Sequence, residues 1–91
     1  MIKIKNLEEG SRPAPKGCRS WLDYWFENVD DIKPRFCCVC GCLNDANVGA
    51  HVVKADGTKE WYIIPMCTYH NNQHGQILEI DLDEDDLLRI P

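Results

Sequence analysis

Five of the six cysteines and all three histidines of a 91-residue chain fall between Cys37 and His74. Thiolate sulfur and imidazole nitrogen are the donors that structural zinc takes, four at a time, in a tetrahedron. Cys67-x-x-His70 supplies one pair, because residues three apart share a helix face. A cysteine at a helix N-terminus also has its thiolate form favoured. The second pair comes from a knuckle between Cys37 and Cys42, where two spacings compete. Cys37-x-x-Cys40, followed by Gly41, is the commonest one, and Cys37-x4-Cys42 is the alternative. Cys37 serves both. Cys38 points away from any site built on Cys37 and reads as a small buried thiol, while Cys18 reads as packing at the start of a helix. Reduced core cysteines without metal are the competing reading, and the density of donors argues against it.

These donors need elements to hold them. Ser20-Trp21-Leu22-Asp23 is a capping-box-like start, and Trp21, Leu22, Trp25, Phe26 and Val29 follow at helical spacing. The aromatic load reads as core, in preference to a platform for stacking bases. Asn28, Asp30 and Asp31 end this helix, and Pro34 rules out its continuation. Val48–Val53 and Trp61–Met66 read as two strands joined at Asp56-Gly57, a strong hairpin signal, with Pro65 ending the second. Residues 67–74 are expected to form a short helix closed by Gly75. Ile2-Lys3-Ile4-Lys5 alternates as a half-buried strand whose lysines would guard an edge. Residues 8–17 read as a loop. Residues 76–82 read as a strand, and residues 87–90 are expected to pair back on it as a C-terminal β-hairpin.

Composition narrows the class. A chain of this length makes one domain, 1–91, with a core small enough to profit from a metal staple. The N-terminus, MIKIKNLEEG, shows no secretory pattern, and no apolar run has membrane-spanning length. The expected setting is therefore a reducing cytoplasm, where clustered cysteines more often bind metal than form disulfides. The net charge of −5 is uneven: residues 1–42 carry seven Lys/Arg against six Asp/Glu, and residues 43–91 carry three against nine. That balance works against non-specific nucleic-acid binding. The acidic run Asp81–Asp86 reads as a solvated face.

Residues 37–74 resemble the zinc-containing HNH, or His-Me finger, nucleases. In those the knuckle reads C-x-x-x-G-C, with Ala four residues on and then a strand ending in Asp-His. Cys37, Gly41, Cys42, Ala46 and His51 fall at these spacings, and IIPMCTYHNN resembles the second zinc pair and its helix. The resemblance favours Cys42 over Cys40. It implies His51 as the general base that deprotonates water, Asn71 as a ligand to a catalytic Mg²⁺ or Mn²⁺, and His74 as an assisting group. Two departures weaken the activity it implies. The acidic residue expected before the base is Ala50, and the Asn that orients the base is replaced by Tyr62. Hard cations want carboxylate oxygens. The phrases Gly17-Cys18-x-Ser20-Trp21-Leu22, Gly49-Ala50-His51-Val52 and Trp61-Tyr62-Ile63-x-Pro65-x-Cys67-x-x-His70-Asn71 also look like a group of small bacterial proteins, a likeness that implies no activity.

The expected fold is a small α+β domain of treble-clef or ββα type, stabilised by zinc, with an N-terminal aromatic helix and a C-terminal hairpin. Three functions fit the residues. One is a catalytically degenerate HNH-like module that binds a protein or nucleic-acid partner. Another is an active metal-dependent endonuclease with His51 as base. The third is an acidic inhibitor whose residues 81–86 mimic phosphates. No membrane association and no small-molecule cofactor are expected.

Overall fold

A computed structural model gives the structure of the chain and describes residues 2–7, 13–29 and 36–90. In chain order the elements are β1 (Ile2–Asn6), α1 (Trp21–Asn28), β2 (Val48–Lys54), β3 (Tyr62–Met66), α2 (Thr68–Asn71), β4 (Ile77–Ile80), a 3-10 turn (Glu84–Asp86) and β5 (Leu88–Arg89). The strands form one antiparallel sheet in the order β4-β1-β2-β3-β5. The fold is thus a small α+β one.

The β2–β3 hairpin is its longest ladder, running from Val48 opposite Met66 to Val52 opposite Tyr62. Asp56 Oδ1 accepts the Thr58 N–H at 2.9 Å, and Gly57 takes a φ of +96° that favours glycine, so Asp-Gly makes the turn as expected. Helix α1 starts where its sequence signal lies: the Ser20 hydroxyl accepts the Asp23 N–H at 3.0 Å. It lies close on β2. A Cβ built on Gly49 would sit 2.5 Å from the Trp21 carbonyl carbon, so only glycine fits beneath the helix. Trp25 is 2% exposed, and its indole N–H donates to the Asp86 carbonyl at 2.9 Å. The core around it joins Ile4, Val52, Ile63, Ile64, Met66 and Ile80 in a single cluster.

Four expectations need correction. First, β1 guards no edge, because it lies inside the sheet between β2 and β4, with Ile4 and Asn6 fully buried. Its two rows of backbone groups are both used, and Lys3 and Lys5 merely face solvent. Second, there is no C-terminal β-hairpin. β4 pairs with β1 and β5 with β3, at opposite edges of the sheet. The connection between them is anchored in the core by Leu82, Asp86 and Leu87, which pulls residues 87–90 to the far side; Asp86 therefore leaves the solvated acidic face. Third, Pro65 does not end β3 but lies within it. Its carbonyl accepts the Cys38 N–H, and β5 stops opposite Ile63, so the missing N–H costs no ladder bond there. Fourth, α2 ends at Asn71, with His74 in the turn that follows. The Asp30, Asp31 and Pro34 stop signals, and residues 8–12 of the 8–17 loop, lie outside the described residues.

Candidate metal centre

Cys67 closes β3 and caps α2, its sulfur accepting the His70 N–H at 3.5 Å. One turn of helix brings the His70 ring back over it, with Nδ1 3.2 Å from the Cys67 sulfur. The knuckle faces this pair. Its base is tied by Cys37 N–H to the Asn44 carbonyl at 2.8 Å, and its tip by Cys42 N–H to the Val39 carbonyl at 3.0 Å. Gly41, at a φ of +79°, makes the tight reversal that a residue with a Cβ would resist. Cys37 sulfur then lies 3.7 Å from His70 Nδ1, and Cys42 sulfur lies 3.9 Å from Cys67 sulfur.

The four donor atoms of Cys37, Cys42, Cys67 and His70 all lie within 4.8 Å of one another, so the group is placed to bind a metal ion. Tetrahedral zinc, with Zn–S near 2.3 Å and Zn–N near 2.0 Å, has S···S edges of about 3.8 Å and S···N edges of about 3.6 Å. The distances of 3.9, 3.7 and 3.2 Å fit that size of ion.

Electrostatics divide the thiols. Burial tends to raise the Cys67 thiol, but the His70 backbone N–H, the His70 ring, the Cys37 thiol and the Asn44 amide together bring it down to about 6. Cys37 is pushed up to about 12, chiefly by burial, against the opposing pull of the Cys67 and Val39 backbone N–H groups. The cluster therefore holds a ready thiolate beside a thiol that needs a cation to lose its proton.

The other cysteines lie elsewhere. Cys40, one of the two alternatives for the second knuckle ligand, is not in the cluster; Cys42 is. The backbone at Cys40 turns toward β4, its N–H donating to the Glu79 carbonyl at 2.9 Å. Burial raises its thiol, with Glu79 and Asp81 adding to the effect. Cys38 is a buried thiol, as expected. Its N–H reaches the Pro65 carbonyl in β3, and its carbonyl accepts the Asp81 N–H just beyond β4. Two strands separate β3 from β4 in the sheet, yet the knuckle bonds to both. The Cys18 thiol donates to Glu27 at 2.9 Å, and this hydrogen bond is the main reason it is raised to about 11.

Comparison of the chain with protein-family models, curated proteins and solved structures gives no match.

The three residues assigned to catalysis are placed differently from the four donors. His51 is 5% exposed, and its ring stands nearly perpendicular to those of Trp21 at 5.0 Å and Trp61 at 6.3 Å. Asn71 ends α2, where its carbonyl accepts a hydrogen bond from Asn6. His74 is exposed. Among the described residues neither His51 nor His74 joins a group of three or more potential metal-binding side chains.

Two residues at the centre escaped the sequence reading. Asn44 supports the Cys67 sulfur at 3.8 Å, and Asn6 holds α2 from β1. Asn6 did leave a trace: it continues the buried phase of Ile2 and Ile4, where a polar side chain needs a partner.

Proposed function

We propose that the chain is a zinc-stapled binding module in which Cys37, Cys42, Cys67 and His70 hold one structural Zn²⁺. The observation that carries this reading is the set of four donors with edge lengths near those of a zinc tetrahedron. Three thiolates and one imidazole around a divalent ion leave the site closed, with no position for water or substrate. That is a structural site and not a catalytic one. The ligands come from a knuckle and from a hairpin end running into a helix. This order is the basis for describing the unit as treble-clef-like and of HNH-like descent.

The module acts by binding a partner, protein or nucleic acid, and not by cleaving one. A general base must reach the proton it abstracts, and His51 is enclosed between two tryptophans. Ala50, at the position of the missing carboxylate, is 1% exposed in the core cluster, so no oxygen ligand for Mg²⁺ or Mn²⁺ is offered there. A plasmid-nicking assay with Mg²⁺ or Mn²⁺ tests this directly. No cleavage above background is expected from the zinc-loaded protein. Cleavage abolished by His51→Ala would replace this reading with the endonuclease.

A further inference from the structure

We infer that Asn6, in the first strand, is a positioning residue of the metal centre, an inference that rests on the zinc reading above. Asn6 is fully buried, and its Nδ2 donates to the His70 carbonyl at 3.1 Å and to the Asn71 carbonyl at 2.7 Å. Its backbone closes the same loop from below. The Asn6 N–H donates to the Gln76 carbonyl at 3.1 Å, and the Asn6 carbonyl accepts the Gly75 N–H at 2.8 Å. One residue thus fastens the whole path from the metal-binding histidine to β4.

The need for such a fastening follows from the helix. α2 has four residues, far below the length at which a helix holds itself together in water. Its last carbonyls have no partner within the helix. At its N-terminal end Cys67 supplies a cap; at its C-terminal end the Gln73 N–H donates to the His70 carbonyl at 3.0 Å, and the buried amide of Asn6 adds a donor to that carbonyl and one to the Asn71 carbonyl. His70 is held through its own carbonyl, so the Asn6 amide sets the backbone from which the imidazole projects. Groups that orient a ligand in this way govern metal affinity although they never touch the ion. Strand β1 therefore belongs to the metal unit, although every donor lies between residues 37 and 70.

The test is zinc affinity, by competition with a chromogenic chelator, together with the d–d absorption of the Co²⁺-loaded chain. Asn6→Asp keeps the shape of the side chain but replaces two donors with a carboxylate facing two carbonyls. It is expected to lower zinc affinity by about 10–100-fold and to shift the cobalt bands. Lys5→Gln, in the same strand but with an exposed side chain, is expected to keep the affinity and bands of the parent chain. If Asn6→Asp does not fold, Asn6→Ser keeps one donor and is expected to fall between. A folded Asn6→Asp or Asn6→Ser protein with unaltered affinity and unaltered cobalt bands would overturn the inference. A parent chain that takes up neither ion would instead sink the zinc reading, and this inference with it.

Discussion

A single sulfur at position 42 completes the cluster. Cys40 offers the commoner spacing, yet its backbone is committed to Glu79. Cys42→Ser should therefore abolish stoichiometric zinc, whereas Cys40→Ser should retain it, as native mass spectrometry would read. The pH dependence follows from the two perturbed thiols. Metal binding requires thiolates. Cys67, at about 6, is largely deprotonated at neutral pH, while Cys37, at about 12, must give up its proton as zinc enters. Zinc affinity should rise with pH, and its fall on acidification should steepen below about pH 6, where Cys67 is protonated too. Chelator competition across that range checks the sign; an affinity independent of pH would contradict it. Position 50 gives a third test. Ala50 faces the core, so Ala50→Asp should bury a carboxylate and cost about 3 kcal/mol or more in urea unfolding, without conferring cleavage. At this scale Cys37, Cys67 and His70 were legible because their spacings are local. The choice between Cys40 and Cys42 was not, because both spacings suit a knuckle and only the path of its backbone separates them.

Among the elements, the helix-start and turn signals held, whereas the stop signals at Pro65 and Gly75 did not. Ser20 caps α1, and Asp56-Gly57 turns the β2–β3 hairpin. Long-range partnerships were not legible. Nothing in Ile2–Asn6 says that it lies between β2 and β4, and nothing in Leu88-Arg89 selects β3 over the nearer β4. The contact between α1 and β2 is another such partnership, and it depends on Gly49. A methyl group there meets the backbone of Trp21 and Leu22 at 2.5 and 2.6 Å, atoms that cannot move aside without shifting the helix. Gly49→Ala should destabilise the zinc-loaded protein by about 1–3 kcal/mol, lowering its urea midpoint. An unchanged midpoint would mean that α1 does not sit this close on the sheet.

Across the whole molecule the Cys37, Cys42, Cys67 and His70 cluster acts as a hub. It brings the knuckle against α2. The knuckle in turn spans from β3 to β4 through Cys38 and Cys40, and α2 reaches β1 through Asn6. These links cross the sheet, so loss of the ion should release more than one loop. On chelation the amides of Cys38, Cys40 and Asp81 should lose hydrogen-exchange protection, with the core following, because metal binding and folding are coupled in domains of this size. The most direct measurement combines zinc content with the amide NMR spectrum before and after chelation. We predict one zinc per chain, and a collapse of amide dispersion when it is removed. A metal-free chain that keeps a dispersed spectrum and unfolds cooperatively would contradict the account.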